Sequence, residues 1–428
     1  LEKKRRGGES ALAKNELPAM GFRRIRSLAE EEKALAARQE KRRKERIKKA
    51  LGQALKWGGA LAGLAIVLAA LITWAGPVRL SNLTDAFAML GRRGEGFPLE
   101  ISYGNLKQAA MLDKQLLLAG PTTLDIYNRG RYLLHQLEQP FDTPMLRIRG
   151  GRALLFDRGA SKFTLMSRSE TLYEKDAGQT ILCMDLGRQG TVAVGSKAET
   201  GTSEARVWDP KEKLLFAWNC EKEYIAAMRL AGNGKSLAMC LTGTQQAGVY
   251  SRFVNYTFHK KEPTVNLSFE NCWLYRVEPM SGGWFALGDQ ALYLIRRNGT
   301  TETLSYDGRS LELCAAGENG ALALALQDWG KNSSLLRVYD RKGALLLEQS
   351  FTRPILSLEC YGGAVYLQLD GLLLRWKKNG GFVQSQPLPQ GTQQVYARGR
   401  DLYVLTIESV ELLKPLWEEL DGTLLRQP

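Results

Sequence analysis

The sequence predicts an all-β domain, an eight-bladed β-propeller closed by an N-terminal strand, standing after a basic helix and one transmembrane helix. Three observations carry this. From residue 97 to about 415 the chain is a succession of short apolar or alternating runs broken by Gly, Asn and Asp, with no sustained helical period. Within that region one hairpin motif recurs at a spacing that fits four strands per unit. Ahead of it, WGGALAGLAIVLAALITWA at 57–75 runs nineteen residues without a charge.

The elements follow in chain order. Residues 1–26, with Gly7, Gly8 and Pro18 among mixed charges, read as a disordered basic tail. Residues 27–56 read as a basic juxtamembrane helix: Ser27 is its expected N-cap, Glu30 completes a capping box, and Glu31 and Glu32 suit the helix dipole. As a helix, 57–75 covers roughly 28 Å, close to a hydrocarbon core of about 30 Å, with Trp57 and Trp74 at its two ends. Lys41, Arg42, Arg43, Lys44, Arg46, Lys48 and Lys49 crowd the upstream flank, against Arg79, Arg92 and Arg93 downstream. Lys and Arg stay on the cytoplasmic side, which places the N-terminus inside and the propeller outside. The same seven cations suit an anionic membrane surface. A cleaved signal peptide competes for the apolar run, but a 56-residue leader is too long for an ordinary one. Residues 76–96 give a short capped helix from Ser81, lying at the outer interface, and a glycine-broken linker.

The formal net charge of +14 points to nucleic acid until it is located. Residues 1–56 carry +10 of it and the remainder only +4, so the large domain has no electrostatic case for binding DNA or RNA.

The propeller, 97–415, shows its period in two ways. A turn of aromatic, Asp or Asn, then polar or Gly residues recurs in IYNRGRYLL, VWDPKEKLL and VYDRKGALLL, and more loosely in LIRRNGTTETL and LRWKKNGGFV. Such turns need side chains that bond their own backbone, or positive φ. Each is preceded by an apolar strand after a glycine turn, giving unit onsets near Gln108, Met145, Leu182, Ala226, Leu274, Leu311, Ile355 and Val395, spaced 37 to 48 residues. The eighth unit holds only three strands. FPLEIS at 97–102 supplies the fourth and removes an open edge. Seven blades is the alternative, if two irregular middle units are one. Residues 416–428 read as a C-terminal tail.

Across 97–415 the pattern resembles the propellers of the WD-repeat, pyrroloquinoline-quinone-like and outer-membrane-assembly types. VWDPKEKLLFAW is similar to the quinone-type repeat, although Glu212 and Lys213 stand where its Thr-Gly belongs. The whole plan of basic tail, anchor, SNLTDAFAMLGRRGEGFPLEI connector and propeller resembles a family of uncharacterised membrane-anchored propeller proteins of Gram-positive bacteria. That resemblance implies topology and fold, and brings no catalytic residues.

The chemistry-bearing residues are sparse. Histidine occurs only at His135 and His259, in expected outer strands of different blades, which argues against a Ser-His-Asp site or a histidine metal cluster. The six cysteines, at 183, 220, 240, 272, 314 and 360, form no CxxC, and Cys183, Cys240 and Cys314 sit in apolar runs as small buried hydrophobes. No phosphate-binding glycine loop lies between a strand and a helix. Neither a metal nor a small-molecule cofactor is expected.

Loop length is the better pointer. Between the second and third strands, units three, four and six carry long polar segments: 196–204, 242–252 and 327–334. They offer Lys197, Gln245, Gln246, Tyr250, Asp328, Trp329 and Lys331 as partner-binding candidates, Trp329 foremost as a Trp among polar loop residues. The expected function is a non-enzymatic, membrane-anchored binding or scaffold module for an envelope protein or cell-wall polymer. The alternatives are a quinoprotein-like oxidoreductase or glycan hydrolase using the channel, and a transmembrane sensor.

Overall fold

The computed structural model describes residues 19–75, 77–101, 104, 106–245, 248–328, 330–378, 381–419 and 425–426. The chain divides into two units, 1–74 and 75–428.

The first unit is helix α1, Ala19–Ala75, 57 residues without a break. It is already helical at Ala19, so Ser27 lies inside it and is no N-cap, and residues 19–26 of the expected disordered tail are helical. Nothing between Ala19 and Ser27 stops a helix except Gly21, whose cost of about 1 kcal/mol is small for so long an element. Residues 1–18 lie outside the described residues. Lys41 through Lys49 are exposed along α1, with Lys44 paired to Glu40 at 2.7 Å. Among the described residues, α1 is the one helix long and apolar enough to cross a membrane, through its stretch Glu40–Val67.

The second unit is an eight-bladed propeller. Blades 1 to 7 occupy 108–138, 144–176, 181–220, 224–270, 274–305, 310–351 and 357–387, each an antiparallel meander of four strands. Blade 8 takes three strands from 394–413 and its outermost strand, Leu99–Glu100, from the other end of the unit, with Leu99 opposite Val410. The expected closing strand is thus present, two residues long.

The first strands touch one another around the axis from blade 1 through blade 5 and from blade 6 through blade 8. Links between blades and turns between second and third strands open on one face, called here the link face. Turns between first and second, and between third and fourth, strands open on the other, the turn face.

Eight apolar clusters fill the eight junctions between blades, including the junction of blade 8 with blade 1. A second strand is therefore covered on both sides. Leu116 to Ala119, Leu154 to Phe156 and Leu322 to Leu326 are all buried, which is why these strands read as continuous apolar runs instead of alternating ones.

The recurring turn sits between the third and fourth strands, at one structural position, as its repetition requires. Asn128 Oδ1 accepts from the amides of Gly130 and Tyr132, Asp209 Oδ1 from Lys211 and Lys213, and Asp340 Oδ1 from Lys342 and Ala344, at 2.8 to 3.0 Å. Arg131, Glu212 and Gly343, three residues after each Asx, all take positive φ.

Helix α2, Pro77–Ala88, starts at Pro77 rather than Ser81, proline being suited to a first helical position. It packs on the turn face. Val78 joins the junction of blades 2 and 3, and the fully buried Asp85 accepts from Ser167 Oγ (2.7 Å), Ser169 Oγ (2.6 Å) and the amides of Arg168 and Ser169 (both 3.1 Å). Arg152 Nε donates to the Val78 carbonyl at 2.7 Å.

Of the residues expected as a C-terminal tail, the described pairs 418–419 and 425–426 join sheet edges. Glu418–Glu419 adds to blade 7 and Leu425–Arg426 to blade 6, while Trp417 stacks under Arg375 at 4.4 Å.

Candidate partner-binding face

The strongest site lies on the link face over blades 3 to 5. In blade 4 the second and third strands, Ser236–Gln245 and Gly248–Thr257, run ten residues each and rise past their neighbours as a paired hairpin. The segment 242–252, read from sequence as a long polar loop, is this ladder: Thr242 faces Ser251, Gly243 faces Tyr250, and Gln245 faces Gly248. Its alternating Thr, Val and Tyr suit a pleated strand, and its polarity reflects exposure instead of irregular backbone.

A bonded cluster braces the base of the hairpin. Arg252 donates from Nε and Nη2 to the two oxygens of Glu223, at 2.7 and 2.6 Å, in a bidentate pair. The Cys220 thiol (2.9 Å) and the Tyr250 hydroxyl (3.3 Å) also donate to Glu223. Burial by itself raises the Glu223 pKa, but the Arg252, Cys220 and Tyr250 donors outweigh it and hold the carboxyl below its ordinary value. The Tyr250 ring lies across Gly243, where any Cβ would approach it to 2.7 Å, so a side chain at this position would have to push the Tyr250 hydroxyl away from Glu223. Beside the cluster is a cavity of 620 Å³ lined by Gln245, Tyr250, Arg252, Trp218 and Lys222.

Trp273 stands in the link between blades 4 and 5, 52% exposed. Its amide donates to Asp289 Oδ1 and its carbonyl accepts from the Asp289 amide, both at 3.1 Å, so the exposed indole sits on fixed backbone. On one side it lines a 510 Å³ cavity with Val249 and Asp289; on the other it lines a 720 Å³ cavity at the channel mouth with Tyr275, Ile225 and Arg158. Tyr224 and Val249, also exposed, flank it on the same face. Exposed aromatic rings on preorganised backbone, bordered by clefts, fit the anatomy of a binding hot spot.

Gln245 and Tyr250 share the first of these cavities. Lys197 is exposed at the end of the second strand of blade 3. Asp328 is held by Arg309 Nε at 2.9 Å and by Ser333, and Lys331 is exposed in the same turn of blade 6, away from blades 3 to 5. Gln246 and Trp329 lie outside the described residues. Sequence reasoning missed Trp273, Tyr224 and Glu223. Their signal was position: Glu223 and Trp273 fall in a link just before an inner strand and Tyr224 opens one, on the face that the long loops share.

His135 is in the outer strand of blade 1, its Nε2 3.1 Å from Thr171 Oγ1, and burial lowers its pKa. His259 is exposed in the turn after the third strand of blade 4, not in an outer strand as expected. All six cysteines are free, and burial pushes the Cys183 thiol up to about 12 and raises that of Cys240, so these two act as packing groups. Among the described residues no three His, Cys, Asp or Glu side chains gather as a metal site.

The fold is similar to solved WD40-type propellers. Sqt1 of Saccharomyces cerevisiae aligns with a TM-score of 0.53 at 10% identity, over 76% of this chain and 100% of that one. The C-terminal WD40 domain of Sif2 aligns at 0.52 and 12%, over 76% and 100%. Chaetomium thermophilum Sqt1, solved bound to the N-terminus of the ribosomal protein L10, aligns at 0.50 and 13%, over 72% and 95%. At these identities the likeness is one of fold. No curated protein matches the sequence. Residues 101–413 match the profile of DUF5711, a family of unknown function, and the chain belongs to that family.

Proposed function

We propose that this protein is a membrane-anchored binding module that holds an extended segment of an envelope protein across its link face, with Trp273 as the anchor contact. The observation that carries the reading is a half-exposed indole on hydrogen-bonded backbone between two clefts. Gln245 and Tyr250 border a third cleft alongside, and Lys197, Gln246, Asp328, Trp329 and Lys331 are carried as further contacts on the strength of the sequence alone. The protein L10 segment bound by a propeller of similar fold supports a peptide-like partner. The role is binding instead of catalysis.

In this reading α1 is the anchor, its 57 residues far exceeding the about 20 that a bilayer needs. The cluster from Lys41 to Lys49 keeps the N-terminus cytoplasmic. The chain enters the propeller through α2 on the turn face, opposite Trp273. Leu83, Phe87 and Leu90, exposed along one side of α2 and just past its end, suit an apolar interface.

The test is a photoreactive residue at position 273 in intact cells, with position 342 on the turn face as the control. Adducts at 273 and none at 342 are expected, and Trp273→Ala is expected to weaken capture of the adducted partner about tenfold or more without lowering the melting temperature. Equal adducts at both positions, or capture unchanged by Trp273→Ala, would exclude this site.

A further inference from the structure

The turn-face end of the central channel carries more positive than negative charge. Arg229, on the inner strand of blade 4, pairs with Asp185 at 2.8 Å and with Glu278 at 3.0 Å, and Glu278 also pairs with Arg276 at 3.0 Å. These four groups balance. Arg147 and Arg149, on the inner strand of blade 2, face the same groups; among the described residues neither has an ion-pair partner of its own, and each donates to a backbone carbonyl, of Leu146 and Leu230, at 3.4 Å. Burial first, and the neighbouring guanidinium groups after it, push both below the usual arginine range against the pull of Asp185 and Glu278. A guanidinium cannot shed its proton as a buried lysine can, so such a surplus is relieved by an anion.

A cavity of 140 Å³ lies where that anion would sit, lined by Arg149, Arg188, Arg229 and Glu278 and by the turn at Gly317 and Gly320. Arg188 crosses its mouth from blade 3 to donate to the Glu318 carbonyl of blade 6 at 3.1 Å. We infer that this cavity binds a small phosphate or phosphoryl group, gripped by Arg149 and Arg188 in the field of Arg147. Guanidinium forks match the oxygens of such a group, and the volume suits one of them. The exposed Glu318 carboxylate at the rim opposes binding. The site is on the face opposite Trp273 and is independent of it.

The full-length chain in detergent is titrated with inorganic phosphate at constant ionic strength, by calorimetry and by thermal melting, with glycerol phosphate as a second arm. Saturable heat and a rising melting temperature are expected. Arg188→Gln and Arg149→Gln should each weaken binding about tenfold or more, Arg341→Gln in the adjoining turn-face cavity, beyond the shared turn at Gly317 and Glu318, should not, and Glu318→Gln should tighten it. Equal affinity for glycerol phosphate would identify a phosphoryl ester as the natural form, and selectivity for the inorganic ion would identify free phosphate. Absence of saturable heat in the wild type would overturn the inference whether or not the variants fold. So would unchanged binding in the exposed-site variant Arg188→Gln together with Arg149→Gln.

Discussion

Glu223 and Asp340 are both carboxylates that organise backbone around them, and only one of them was legible in the sequence. Asp340 takes its donors from two and four residues downstream, so the Asx turn that it makes is written in five consecutive letters. Glu223 takes its donors from Arg252 and Tyr250, 29 and 27 positions away, and no local pattern records that they meet. Its energetics can be tested through pH. Because the folded carboxyl titrates below its unfolded value, its contribution is present above the unfolded pKa of about 4.3 and is lost as pH falls through the folded value. Glu223→Gln should therefore cost about 1.5–3 kcal/mol at pH 7, with the gap from wild type narrowing below about pH 4. Melting curves at pH 7 and pH 3.5 read this directly; a gap independent of pH would mean that packing, and not the ion pair, supplies the stability.

At the scale of elements, the blades were legible because each second strand is buried on both sides and the third strands of blades 1, 3 and 6 end in the same Asx turn. The blade 4 hairpin and α2 were misread for opposite reasons. The hairpin carries polar residues because it stands free of its neighbours, so strand looked like loop. The buried side of α2 carries Ser81 and Asp85 beside Val78, while Leu83 and Phe87 are exposed, so its docking on the propeller was not visible from hydrophobicity. Asp85 does by hydrogen bonds what an apolar face does elsewhere. It satisfies the turn 167–170 that closes blade 2, and removing its charge leaves the two Ser hydroxyls and two amides short of a strong acceptor. Asp85→Ala is expected to cost about 2–4 kcal/mol and to raise amide exchange in 77–88 and 167–170 while blade 5 keeps its protection. Exchange that rises uniformly over the propeller would show that α2 is not a separable cap.

For the whole molecule, the ring is held by eight similar wedges, and seven are made between blades continuous in sequence. The eighth, between blades 8 and 1, joins the two ends of the unit: Tyr396 and Tyr403 pack with Met111 and Leu116, and Phe97, Leu99 and Ile101 cover them from outside. Tyr396 Oη donates to the Ala109 carbonyl at 2.6 Å and Arg129 pairs with Asp401 at 2.5 Å across the same junction. The strand Leu99–Glu100 is short, yet it occupies the edge of blade 8, and the Ile101 amide donates to the Glu408 carbonyl at 2.7 Å beyond it. Unpaired, Ser409–Leu413 would be an exposed edge and its apolar residues would face water. Leu99→Pro removes one ladder donor and about one buried aliphatic contact, so the loss should be local first. We expect exchange protection to fall in 401–413 with that of 181–220 intact, and the melting temperature to drop by several degrees, as a loss of about 2–3 kcal/mol implies for a domain of this size. Protection that falls together in every blade would mean that the ring opens as one cooperative unit, and that closure by this strand stabilises all eight wedges at once.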